Sequence, residues 1–101
     1  VTRPTYLLSD VQARVRLLGR RAFTSTAIAT GQHELGMTVS EMIDFICART
    51  DRACFKTMQA RGVPDAMQDV YRWPCPNGRQ TAYVKVSLHP ASRVVISFKE
   101  R

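Results

Sequence analysis

The hydrophobic period of this chain changes once, at Pro64, and that change does most to limit its fold. Before Pro64 the apolar residues recur at helical spacing; after it they alternate with polar ones. Helices that come first and strands that follow do not interleave into the strand–helix–strand units of a parallel sheet. The order predicts an α+β fold, in which an antiparallel sheet from the C-terminal third is covered on one face by N-terminal helices.

Local punctuation supports this division. Ser9 with Gln12 reads as a capping box, with Leu8 and Ala13 as its staple, opening a helix over 9–18 along Val11, Val15 and Leu18. Gly19 ends that run. A second helix is expected over 24–35, ended by Gly36, although Gly31 inside it costs about 1 kcal/mol relative to alanine. Thr38 with Glu41 forms another box, stapled by Met37 and Met42, for a helix over 40–49. A short helix carrying Lys56 is expected from Asp51 to about Ala60, ended by Gly62 and Pro64, with Cys54, Phe55 and Met58 on its buried side. Strands follow near 67–73, 80–88 and 93–99, the first pair joined through Asn77-Gly78.

Alternation assigns faces. In the second strand Ala82, Val84, Val86 and Leu88 share one side; in the third Val94, Ile96 and Phe98 do so, and these sides must meet the helices. The opposite side of the third strand takes Arg93, Val95, Ser97 and Lys99. Tyr83, Lys85, Ser97 and Lys99 then occupy one open face. An ordinary solvated face is the competing reading. Against it, a tyrosine among cations suits stacking on bases and contact with phosphates.

Charge points the same way. The 101 residues carry a net +7, with +4 in residues 1–21, −1 in 22–65 and +4 in 66–101. A basic excess at both ends favours a polyanionic partner. Twelve arginines accompany three lysines, at 56, 85 and 99. Arginine does not release its proton, whereas lysine does when burial or neighbouring cations depress its pKa.

Other classes are excluded or weak. The length suits one domain over 1–101 and is too short for a dinucleotide-binding or barrel fold. Neither a membrane-spanning stretch nor a signal peptide is expected, and three scattered cysteines without metal spacing suggest a reducing cytoplasm. P-loop, Ser-His-Asp and paired-carboxylate motifs are missing. His33 reads as a surface helix residue and His89 as a turn residue. Asp69 is expected to do no more than pair with an arginine.

Several segments carry a family resemblance over nearly the whole chain. They are Leu8-Ser9-Asp10-Val11, Ala27-Ile28, Glu34-Leu35-Gly36, Phe55-Lys56-Thr57-Met58, Gln68-Asp69-Val70-Tyr71-Arg72, Tyr83-Val84-Lys85 and Ser97-Phe98-Lys99-Glu100. In these the chain resembles the MqsR toxins, the motility quorum-sensing regulators of bacterial type II toxin–antitoxin systems. The resemblance implies a RelE-like fold and an endoribonuclease that cuts mRNA, with preference for GCU-type sites, and so blocks translation. It implies neutralisation by an MqsA-type antitoxin with a zinc domain and a helix-turn-helix domain, so that DNA is reached only through the antitoxin. It maps the functional residues onto Lys56, Gln68, Tyr83 and Lys99, with no metal or other cofactor. Arg72 and Lys85 are expected to hold phosphates. Phe55, where members can carry tyrosine, and the loop from Trp73 to Gly78 depart from the pattern. The alternatives are a non-catalytic RelE/ParE-like toxin that acts by binding a protein such as gyrase, and a plain RNA- or DNA-binding module.

Overall fold

The computed structural model describes residues 3–60 and 66–101. Helix α1 spans Leu8–Leu18 and runs into a 3-10 turn, Gly19–Ala22. Helix α2 spans Ser25–Leu35 and α3 spans Val39–Cys47. Four strands follow: β1 Lys56–Gln59, β2 Met67–Pro74, β3 Thr81–Val86 and β4 Val95–Glu100. They form one antiparallel sheet in the order β1-β2-β3-β4.

The helices cover one face of the sheet. Val11 and Val15 of α1, Ala27 of α2, and Met42 and Ile46 of α3 are fully buried with Tyr71, Ala82, Val84, Val86 and Phe98 from the strands. Burying a large apolar side chain fully contributes about 1.5–3 kcal/mol. Phe45 of α3 packs edge-on against both Trp73 and Phe98. Gly31 has a packing reason: a Cβ there would run into Met42 Sδ and stand 3.1 Å from Phe98 Cδ1. The outer edge of β4 is closed by α2. Thr24 N–H donates to Val95 O at 3.0 Å, Thr24 Oγ1 to Ile96 O at 2.9 Å and Thr30 Oγ1 to Phe98 O at 2.7 Å. An edge so occupied does not template further pairing.

The Thr38–Glu41 box forms as expected, with both reciprocal hydrogen bonds. The Ser9–Gln12 box does not. Leu7 stands at the N-cap without a side-chain bond, Leu8 lies inside the helix, and Ala13 is exposed. Gln12 instead donates through Nε2 to Ile46 O at 2.9 Å and Arg49 O at 2.8 Å. Those two carbonyls lie where α3 ends and its regular hydrogen bonding runs out, and they offer the amide two partners where the box offers one.

The expected helix over Asp51–Ala60 is also overturned. Asp51 Oδ1 accepts from Ala53 N–H in a local turn, Cys54 is buried, and Lys56–Gln59 pair with β2. The edge of β2 supplies backbone partners that a helix of this length, marginal by itself, does not outweigh. Its expected end at Gly62 and Pro64 lies outside the described residues. Among the described residues no arginine pairs with Asp69. Fully buried, it accepts the backbone N–H groups of Thr5 and Tyr6, each at 2.9 Å, and so ties the chain's start to β2.

One irregularity re-sorts β4. Lys85 pairs with Ser97, yet Val86 pairs with Val95, so Ile96 is an extra residue in a bulge. Alternation alone placed Ile96 in the core and Val95 on the open face. The bulge reverses this: Val95 is fully buried and Ile96 only half-buried.

Candidate active site

The register decides which side chains meet. Residues directly opposite in an antiparallel ladder share a face, with Cβ atoms about 5 Å apart. On the face away from the helices, Lys56 stands opposite Val70, Val70 opposite Lys85, and Lys85 opposite Ser97. The neighbouring row joins Arg72, Tyr83 and Lys99. Gln68, opposite Met58, shares the parity of Val70 and Arg72. All six expected site residues, Lys56, Gln68, Arg72, Tyr83, Lys85 and Lys99, therefore occupy one sheet face. Four strands at ordinary spacing are only about 14 Å across. The two acids in these strands, Asp69 and Glu100, lie opposite Val86 and Ala82 on the other face.

Contacts within this face tie aromatic rings to cations. The Lys99 ammonium lies 5.2 Å from the Tyr83 ring centroid. The Arg72 guanidinium lies over the Phe55 ring at 3.2 Å, and the Lys56 ammonium is 5.6 Å from the same ring. Phe55 is 41% exposed, so it is not the buried member of a helix but an accessible stacking surface. Met58 sits half-buried on the open face, also not in the core.

The electrostatics concentrate on β3. Partial burial, then the charges of Lys99 and Lys56, hold the Lys85 ammonium below its ordinary range. Val70, directly opposite, is fully buried although it lies on the open side. Arg72 is also held below its usual value by desolvation and the nearby Arg101, with Tyr83 acting in the opposite sense. It stays charged at any working pH. Arg101 is the residue that reading of the strands missed. Carrying the alternation of Ser97 and Lys99 one step further would have found it.

A small antiparallel sheet, backed by helices on one face and open on the other, is an α+β arrangement consistent with a RelE-like fold. Residues 3–100 match the family model described as the motility quorum-sensing regulator, toxin of MqsA. The chain belongs to that family and is a toxin of a toxin–antitoxin system. A search of curated proteins returned no match. No helix among the described residues is long and apolar enough to cross a membrane.

Proposed function

We propose that this toxin is a metal-independent endoribonuclease that cuts mRNA by attack of a 2′-hydroxyl on the adjacent phosphorus. What carries the reading is the gathering of Lys56, Gln68, Tyr83 and Lys99, with Arg72 and Lys85, on one sheet face. In the proposed reaction a base takes the 2′-hydroxyl proton. The bond from O2′ to phosphorus forms as the bond to O5′ breaks, and an acid protonates O5′. The products are a 2′,3′-cyclic phosphate and a 5′-hydroxyl. Lys56, Tyr83 and Lys99 share the proton transfers and stabilise the added negative charge, while Gln68 positions the strand by hydrogen bonding. Arg72 and Lys85 hold phosphates, and the depressed ammonium of Lys85 brings it nearer to proton transfer as well.

Phe55, held against Arg72, offers a flat ring to a base but no hydroxyl for a hydrogen bond. A GCU-type preference therefore rests on the remaining polar groups of the face. The partner that silences the activity is an MqsA-type antitoxin, through which the complex reaches DNA, and the working compartment is the cytoplasm. Residues 1–101 act as a single RelE-like domain.

Incubation with a defined mRNA, with and without chelator, tests this reading. Chelator-resistant cuts are expected in single-stranded RNA, none in DNA, and none where the scissile 2′-hydroxyl is replaced by hydrogen. Binding without cleavage would leave a plain RNA-binding module, and neither binding nor cleavage a toxin that acts through a protein.

A further inference from the structure

A second concentration of positive charge lies beyond β4, away from the six residues of the open face. Two adjoining clefts, of about 390 Å³ and about 320 Å³, are both lined by Arg21 and Arg93. Arg20 lines the larger; Arg14 and His89 line the smaller. Among the described residues no Asp or Glu lines either cleft. Elsewhere on α1, Arg16 has Asp44 at 3.8 Å, but among the described residues no carboxylate lies within ion-pair reach of Arg14, Arg20, Arg21 or Arg93.

This is an assembled arrangement, not a run of adjacent basic residues. Arg93 comes from the loop before β4, yet its Nη1 donates to Arg21 O at 2.6 Å, across 72 positions of sequence. That bond fixes one guanidinium between the two clefts, and its other donors meet no protein acceptor among the described residues. Ser25, the first residue of α2, lines the larger cleft and brings the positive end of that helix to it. All four arginines are exposed, so packing does not require them there. Like charges drawn together at a surface repel unless an anion answers them.

The position suggests which anion. Arg93 precedes Lys99 by six residues, about 20 Å of extended chain, so β4 leads from the proposed catalytic face to these clefts. Thr24, bonded to the edge of β4, directly precedes Ser25 of the larger cleft. A single strand that continues past the cut and over this edge meets a cluster of guanidinium groups, which bind phosphate well.

We propose that the paired clefts around Arg21 and Arg93 hold the phosphate backbone of the substrate RNA outside the cleaved step. The proposal rests on the ribonuclease reading for the identity of the strand, but its test does not depend on cleavage. Binding is measured by fluorescence anisotropy on RNAs carrying 2′-deoxy at the scissile nucleotide, one of about 4 and one of about 16 nucleotides. The variant Arg20→Gln/Arg21→Gln should weaken binding of the long RNA roughly tenfold near physiological salt and flatten its salt slope by about 1.4, the value for two lost contacts on a single strand. The short RNA should bind as to wild type. Arg20→Lys/Arg21→Lys, which keeps the charge, should restore most of the long-RNA affinity.

Unchanged affinity and slope on the long RNA would overturn the site. Equal loss on both lengths would also overturn it, since the effect would then lie in the fold or the open face. Equal loss on a duplex DNA of the same length would overturn its assignment to the substrate strand. If wild type fails to cut an all-ribose RNA while the length-dependent binding holds, the ribonuclease reading fails and the anion site stands.

Discussion

Lys99 stands directly opposite Tyr83 in the β3–β4 ladder, its ammonium 5.2 Å from the centroid of the phenol ring. On the far side of Tyr83, in the same row, is Arg72. The tyrosine is thus flanked by cations on both neighbouring strands, in a place where a phosphate between them could be reached from either side. The row with Lys56, Lys85 and Ser97 runs beside it, so the cations and the proposed proton-transfer groups lie on one surface.

Arginine substitution separates charge from proton in this surface. Lys56→Arg and Lys99→Arg keep a cation that binds phosphate well, but guanidinium does not serve as acid or base near neutral pH. At least one of the two should lose on the order of 100-fold or more in cleavage rate, the scale of a lost proton transfer. RNA affinity at fixed salt should change little. Single-turnover rates on one short RNA measure this; wild-type rates in both variants would leave the lysines purely electrostatic and make Tyr83 the main proton-transfer group.

Lys85 gives a pH prediction with a definite sign. Burial and the charges of Lys99 and Lys56 depress its pKa in the folded state. Below that depressed value the folded protein holds a charge it disfavours, and this costs stability. Between the folded value and the ordinary lysine value the unfolded chain binds more protons, so stability rises with pH across that window. Lys85→Met should remove this rise and leave the protein at least as stable at neutral pH. In the intact site, Lys99→Gln takes away one repelling charge, and the titration of Lys85, followed by the carbon shift of its Cε, should move to higher pH. A midpoint that stays fixed or falls would show that Lys99 does not act on Lys85.

The parts of this fold that were legible in the sequence were those set by near neighbours. Thr38 and Glu41 cap α3 because they are three residues apart and nothing else competes for them. Tyr83, Lys85 and Lys99 reached one face through simple alternation. The failures all have a distant cause. Gln12 was drawn to the end of α3, 34 residues away, and Lys56 to the edge of β2. The side taken by Gln68 waited on the register of β2 against β3, which puts Val70 and Arg72 opposite Lys85 and Tyr83. Val95 and Ile96 exchanged places because a bulge, invisible to a period of two, inserts one residue. The burial that depresses Lys85 is likewise a property of four strands together.

The replaced capping box makes a direct comparison. Ser9→Ala should be close to neutral, within about 0.5 kcal/mol, because no capping bond is lost and the residue is exposed. Gln12→Ala removes two hydrogen bonds to carbonyls at the end of α3 and should cost about 1–3 kcal/mol. Urea unfolding of the two variants checks the order. A larger loss for Ser9→Ala would restore the local box and remove the reason given for Gln12.

Gly31→Ala sets two opposed effects against each other. An alanine in mid-helix favours α2 by about 1 kcal/mol over glycine. The new methyl group, however, enters space held by Met42 and approaches Phe98, both fully buried. Overpacking a core of this kind costs about 1–3 kcal/mol, so the net result should be a loss of up to about 2 kcal/mol. In a domain of this size that lowers the melting temperature by roughly 4–8 °C per kcal/mol. The cause can be isolated with Met42→Leu, which removes the sulfur that the methyl group meets and by itself costs less than about 1.5 kcal/mol. If the conflict is steric, the double variant should be more stable than the sum of the two single losses predicts, with a coupling of at least about 0.5 kcal/mol. Strict additivity, or a Gly31→Ala variant more stable than wild type, would mean that α2 has room to move away from the sheet and that Gly31 is not there to let the helix approach it.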